Sequence, residues 1–167
     1  MKVYVDGNDL CAYFVESDDA MVVDDDRLKT RDNLRRWLAR YAQLHECDVV
    51  LVWDEAPADQ VLPPTERFGR VKVVNLPFGE EARAEIAGPA NRTAVEERTF
   101  VVTEDPRLID ALRRGRATVQ GPARFVARAR KKMGKADEEL AREPDEKFTG
   151  LSEDDVDFWL DFFSEND

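Results

Sequence analysis

The sequence predicts an α/β fold built on a parallel sheet, and three observations carry that prediction. Short β-type runs alternate with helix-length amphipathic stretches, as strands and crossover helices do in parallel sheets. The runs Lys2-Val3-Tyr4-Val5, Val49-Val50-Leu51-Val52-Trp53 and Thr99-Phe100-Val101-Val102-Thr103 are apolar almost without interruption, which is the pattern of strands buried on both faces. Each run leads into an aspartate: Asp6, Asp54, and Asp105 after Glu104. Parallel strands end on one common edge, and open α/β sheets bind ligands there.

The elements come in this order. After the first strand, Asp6-Gly7-Asn8-Asp9 reads as a tight polar turn in which Gly7 lets the backbone approach a ligand. Arg27 to Glu46 places Leu28, Leu34, Trp37, Leu38, Tyr41 and Leu44 near the spacing of an amphipathic helix. The second strand ends at Trp53, and Val71-Lys72-Val73-Val74-Asn75 is a third. Gly79 to Ala87 predicts a short helix ended by Gly88-Pro89. The fourth strand, Thr99 to Thr103, precedes a helix with Pro106 in its first turn and Leu108, Ile109 and Leu112 facing inward. Ala117-Thr118-Val119 is a last short strand before Gly121-Pro122.

Lys135 to Gly150 is charged, contains Pro144 and lacks an apolar period, so it reads as a linker. Ser152 then offers an N-cap, with Glu153, Asp154 and Asp155 in a first turn. The aromatic residues after that turn (Phe158, Trp159, Phe162 and Phe163) predict a helix that docks on its own domain or on a partner. The expected organisation is a domain over residues 1–134, a linker over 135–150 and an acidic, aromatic-rich helix over 151–167, with no internal repeat.

At 167 residues the chain is long enough for one domain with a real core. It has no 18-residue apolar run and no basic-then-apolar leader at Met1, which predicts a soluble, cytoplasmic protein without a membrane partner. Cys11 and Cys47 lack CxxC spacing and have only His45 to join them, so they read as reduced thiols packed near strand starts. His45 falls at a helix end, as a cap or surface residue. The net charge of −11 is unevenly placed. Asp137 to Asp167 holds 13 acidic and 2 basic residues, so the first 136 residues are neutral. Within them, Arg107 to Lys135 carries 10 basic residues against Asp110 alone. Arg124, Arg128 and either Lys131 or Lys132 recur at helical spacing, a basic face suited to phosphates.

Three acidic groups delivered to one sheet edge repel each other unless a cation sits among them. Asp6, Asn8 and Asp9 offer oxygen ligands of the kind Mg²⁺ or Mn²⁺ prefers. The plainer reading is that Asp and Asn after strands make turns and caps, and Asp105 before Pro106 suits an N-cap. A receiver domain with Asp54 as phosphoacceptor is disfavoured, because Gln120-Gly121-Pro122 stands where its lysine belongs. A haloacid-dehalogenase-like phosphatase needs Asp-x-Asp after strand one, where this chain has Asp6-Gly7-Asn8. No Ser/His/Asp or Cys/His set and no phosphate-binding glycine loop stands out.

The Val-Asp-Gly-Asn-Asp start, the Val-Val-Leu-Val-Trp-Asp second strand and the Val-Val-Thr-Glu-Asp fourth strand resemble the YacP-like branch of the NYN ribonucleases, in the PIN-like superfamily. The resemblance runs from Lys2 to about Arg130, and its specificity lies in the order of three short motifs. It implies a three-layer α/β/α PIN-like fold with a mainly parallel sheet in the order 3-2-1-4-5, here with a C-terminal helix added. It also implies a hydrolase: a metal-dependent endoribonuclease using a ring of carboxylates with Mg²⁺ or Mn²⁺. Its partner is then RNA, including RNA on the ribosome. Carried over position by position, Asp6 is the central metal ligand, Asp54 an outer acidic residue, and Thr103 with Asp105 the fourth-strand motif. The metal set is then Asp6, Asp54 and Asp105, with Asn8, Asp9, Thr103, Arg124, Arg128 and Lys131 toward substrate. Asp9 stands where the family often has asparagine.

One departure matters. The family places an Ala-Asp-Glu-type motif before strand four, where this chain reads Glu81-Ala82-Arg83-Ala84-Glu85. Either Glu81 or Glu85 supplies the missing carboxylate, with Glu81 the catalytic candidate, or Arg83 occupies the site as a tethered cation. In the second case the chain is a catalytically reduced NYN domain that binds RNA or a ribonucleoprotein without cutting.

Overall fold

The computed structural model describes residues 1–54, 62–77, 79–93 and 97–142. The elements are β1 (Lys2–Asp6), α1 (Gly7–Glu16), α2 (Arg27–Leu44), β2 (Asp48–Trp53), β3 (Thr65–Phe68), β4 (Val71–Asn75), α3 (Ala82–Asn91), β5 (Thr99–Val102), α4 (Pro106–Leu112), β6 (Thr118–Gln120) and α5 (Pro122–Arg142). The strands form one sheet in the order β3-β4-β2-β1-β5-β6. Every pairing is parallel except that of β3 with β4. Without β3, this is the 3-2-1-4-5 order that the family resemblance implies.

The alternation of each strand sends its side chains to two cores. On one face, Val3, Val5, Val49 and Leu51 pack with Leu10 and Phe14 of α1, Leu34 and Leu38 of α2, and Phe125, Val126 and Ala129 of α5. On the other face, Tyr4, Val52 and Val101 pack with Ile86 of α3 and Leu108 and Leu112 of α4. The result is three layers, α/β/α. Each fully buried Leu or Phe here contributes roughly 1.5–3 kcal/mol of transfer free energy.

Four local features differ from the sequence expectation. No turn separates β1 from α1: Asp6 is itself the N-cap and the helix starts at Gly7. A Cβ on Gly7 would lie 2.6 Å from the Trp53 ring and 2.8 Å from the Val52 carbonyl oxygen. Glycine therefore lets the helix start press onto β2. The edge strand β3 was not expected, because Thr65-Glu66-Arg67-Phe68 is mostly exposed. It turns back onto β4 through Gly69, whose φ of +58° favours glycine. The third difference is α3, which runs past Gly88 with Pro89 inside it. Burial of Ala82, Ile86 and Ala90 at intervals of four carries the helix through the proline. Finally, Cys47 is buried just before β2 as expected, but Cys11 belongs to α1.

Residues 1–133 form one compact unit. The first eight residues of the expected linker, Lys135 to Arg142, belong to helix α5. The remainder of that linker and the expected C-terminal helix lie outside the described residues. Among the described residues no helix is long and apolar enough to cross a membrane.

Candidate active site at the carboxyl edge of the sheet

The parallel register brings the strand ends together. Asp6 pairs with Val52 of β2, while Val5 pairs with Val102 of β5. Asp54 and the Thr103–Asp105 segment therefore emerge on either side of Asp6. The side chain of Asn8 donates to the Asp54 backbone carbonyl at 3.4 Å and clasps the β1 and β2 ends.

Asp6 is 7% exposed. One of its oxygens accepts the backbone N–H groups of Asn8 and Asp9, at 3.1 and 3.3 Å. Its carboxyl is nevertheless pushed up to about 7, chiefly by burial and then by the neighbouring charge of Asp9, with Asp54 adding to it. Two helix-start N–H groups oppose this shift without overcoming it.

Asp9 does a different job. Its Oδ2 accepts from the Thr103 hydroxyl at 2.7 Å, from the Glu104 N–H at 2.7 Å and from the Asp105 N–H at 3.2 Å. Thr103 is 1% exposed, and its hydroxyl also accepts from the Asp105 N–H at 3.0 Å. Both side chains, expected to meet substrate, instead knot the start of α1 to the β5–α4 loop. Asp105 caps α4, with Oδ1 accepting from Arg107 N–H at 2.9 Å and Oδ2 from Leu108 N–H at 3.2 Å. Each of its oxygens keeps a second lone pair.

Glu81 is held between two arginines, Arg83 at 2.8 Å and Arg107 at 3.9 Å. Arg83 thus pairs with Glu81, and Glu81 is half exposed. Among the described residues, no three His, Cys, Asp or Glu side chains gather closely enough to form a preformed metal cage. The structure groups Asp6 with Asp9 and Asp54, and commits Asp105 and Glu81 to other partners. Their donor chemistry still suits a hard cation. Mg²⁺ keeps several waters and is commonly held by one or two carboxylates together with substrate phosphate.

The basic face of α5 forms as expected, with Arg124, Arg128, Lys131 and Lys132 exposed opposite buried Phe125, Val126, Ala129 and Met133. Its direction is the surprise. Arg128 and Lys132 act on His45 at the C-terminal end of α2, on the amino edge of the sheet; burial first, then these cations, holds the imidazole below its usual range. Arg128 also donates to Gln120 at 3.1 Å. Arg130 is spent on an ion pair with Asp19. Helix α5 starts just after the carboxyl end of β6, so Arg124 stands at its near end, while Lys132 reaches the amino edge by His45.

One residue at the edge was missed from sequence. Arg31, on α2, lays its guanidinium 4.2 Å from the centre of the Trp53 ring and donates to Asn75 Oδ1 at 3.1 Å. The signal available was its place between Thr30 and Leu34 on the inward side of α2, an unusual position for a cation.

The crystal structure of Rae1 (YacP) from Bacillus subtilis is similar, with a TM-score of 0.70 and 17% identity over 98% of this chain and 95% of that one. A single-substitution variant of that protein gives a TM-score of 0.68 at 18% identity, covering 93% of this chain and 89% of that one. At such identities the likeness speaks for the fold alone. No curated protein matches the sequence. The family model of the YacP-like NYN domain matches residues 3–157, and the chain belongs to that family, whose fold is nuclease-like and RNA-associated.

Proposed function

We propose that the chain is a metal-dependent endoribonuclease that hydrolyses RNA phosphodiester bonds at the carboxyl edge of its sheet. The observation that carries this reading is Asp6: a buried carboxylate at a strand end, raised to about 7 beside Asp9 and Asp54. Structural carboxylates are normally paired and lowered, whereas a strongly perturbed group on a ligand-binding edge marks a working site.

In this reading Asp6 and Asp54 hold Mg²⁺ or Mn²⁺ through oxygen, with Asp105 as an outer acidic group. When bound, the ion supplies a water acidic enough to act as nucleophile and neutralises charge on the attacked phosphate. The protein's own part is to keep that edge rigid. Asp6 is fixed by β1 and by two α1 N–H groups, while Asp9 and Thr103 lock the β5–α4 loop that carries Asp105. Rigid placement of this kind is what lets a site act on a phosphate without reorganising.

The test is cleavage of a mixed RNA pool in Mg²⁺ or Mn²⁺, with and without added ribosomes. Asp6→Asn is expected to lower kcat/KM by roughly 100-fold or more, since even outer partners of a metal site are worth 10–100-fold. Wild-type cleavage by a folded Asp6→Asn protein overturns the assignment. A second reading, a reduced NYN domain that binds RNA without cutting, is favoured by the pairing of Glu81 with Arg83 and Arg107. RNA binding without metal-dependent cleavage would select it.

A further inference from the structure

Among the described residues, Arg31 is the cation that the fold packs into the carboxyl edge, and its surroundings are unusual for an arginine with a merely structural role. Trp53 is 4% exposed, with α1 pressed on it at Gly7 and the Arg31 guanidinium stacked on its ring. Asn75 takes one Nη2 hydrogen of Arg31, and its own amide donates to the Pro63 carbonyl at 2.8 Å. The guanidinium plane is therefore fixed twice, by the ring and by a buried amide that is itself tethered.

That placement is costly. Arg31 makes no ion pair among the described residues, and Asn75 is its sole hydrogen-bond partner there. Burial lowers its pKa, and Arg27 adds like-charge repulsion, while Cys11, Glu66 and Asp54 act in the opposite sense. A leucine or methionine would cover Trp53 without burying a charge. What the arginine adds is a planar set of N–H donors, held still beside Asp54.

We propose that Arg31 is a phosphate-binding residue of the active site, gripping the RNA backbone beside Asp6 and Asp54 with a guanidinium prepositioned by Trp53 and Asn75. The inference rests on the ribonuclease reading and gives that site its substrate grip. Guanidinium meets phosphate through paired, charge-assisted N–H bonds, and five N–H donors leave ample capacity after Asn75 has taken one. It also adds to the role expected of α5: that helix runs from the end of β6 toward the amino edge, whereas Arg31 is close enough to Asp54 to feel its charge.

The experiment uses the full chain with Arg31→Gln and Arg31→Lys, each checked by thermal melting. Binding of a fluorescein-labelled single-stranded RNA is titrated in EDTA across a salt series, and cleavage is followed in Mg²⁺. Arg31→Gln is expected to weaken binding about tenfold and to reduce the salt slope by about 0.7, one phosphate contact on a single strand. It should raise KM more than it lowers kcat. Arg31→Lys should keep the wild-type salt slope yet recover only part of the affinity, because an ammonium keeps the charge and loses the fork. A purely structural role would move the melting temperature and leave the slope alone. Wild-type affinity, slope and KM in both variants overturn the proposal while leaving the nuclease reading in place. Should the Gln variant not fold, wild-type affinity in the Lys variant is enough to overturn it. RNA that wild type neither binds nor cuts overturns both.

Discussion

The two sides of the carboxyl edge treat the same residue type in opposite ways. At the end of β5, Asp9 and Asp105 together accept five hydrogen bonds, four from backbone N–H groups and one from the Thr103 hydroxyl. At the end of β1, Asp6 accepts two, yet is raised to about 7 by burial and by the charges of Asp9 and Asp54. The β5 side holds the structure together. On the β1–β2 side, burial and neighbouring negative charge at Asp6 outweigh its two N–H donors. An acidic residue after a strand therefore does not declare its role; its count of N–H donors against its burial does.

The two sides of the edge should differ most in their response to pH and metal. Because folding raises the Asp6 carboxyl from 3.8 to about 7, the folded state prefers the proton. The stabilising contribution is complete below about pH 4 and is lost as pH rises through 7. Asp6→Asn, which cannot ionise, should be more stable than wild type at pH 8, by on the order of 4 kcal/mol. The gap should open above pH 4 and stop widening near pH 7. Urea denaturation of both proteins at pH 4, 6 and 8 reads this directly. In addition, Mg²⁺ at about 100 times its Kd should return about 2.7 kcal/mol to wild type at pH 8, and nothing to Asp6→Asn. A gap that is flat with pH refutes the account of Asp6.

On the other side of the edge the opposite sign is expected. Asp9→Ala strands the Thr103 hydroxyl and the N–H groups of Glu104 and Asp105, so it should destabilise by about 2–3 kcal/mol. It also removes the charge that ranks next after burial in raising Asp6. The Asp6 pH transition, measured in the Asp9→Ala background, should then move down. An unchanged transition would mean that burial and Asp54 set it without Asp9.

The topology was legible because its signals are local and redundant. Uninterrupted Val-rich runs, caps and turn residues pointed to every parallel strand and to their aspartates. What failed to show were features decided by distant contacts. Gly7 looked like a turn glycine, and only the Trp53 ring across the β1–β2 pair explains it. Pro89 looked like a helix end, until Ile86 and Ala90 were buried on the sheet. Similarly, Arg31 passed for one more cation on a polar helix, since its meaning depends on Trp53 and Asn75, 22 and 44 residues away. The placement of Asp6, Asp54 and Asp105 at the ends of neighbouring strands was legible. The division of labour at that edge was not, because hydrogen-bond partners such as Asp9 and Thr103 lie 94 residues apart.

Gly7→Ala tests the contact that keeps α1 against β2. The added methyl meets an indole ring and a backbone carbonyl, neither of which has room to move, so overpacking should cost about 1–3 kcal/mol. Moving Trp53 also tilts the surface on which Arg31 rests. RNA affinity should therefore fall with stability, and near-UV circular dichroism of Trp53 should change. Wild-type stability would show that α1 can slide away from Trp53.

The smallest effect is expected from Arg83→Asp, and its smallness is informative. Arg83 and Glu81 are 41% and 53% exposed, so their ion pair is screened and contributes less than about 1 kcal/mol. The substitution returns the acidic residue type that the family pattern places there, but sets it beside Glu81, to which Arg107 is still close. If Asp6 and Asp54 suffice for the chemistry, cleavage should change by less than about threefold, the scale of one exposed pair. A rise of tenfold or more would show that this edge lacks a carboxylate and that the natural chain is a reduced enzyme. Glu81→Gln completes the comparison. Loss of cleavage there, with Arg83→Asp silent, would transfer the missing role to Glu81 and require its release from both arginines during turnover.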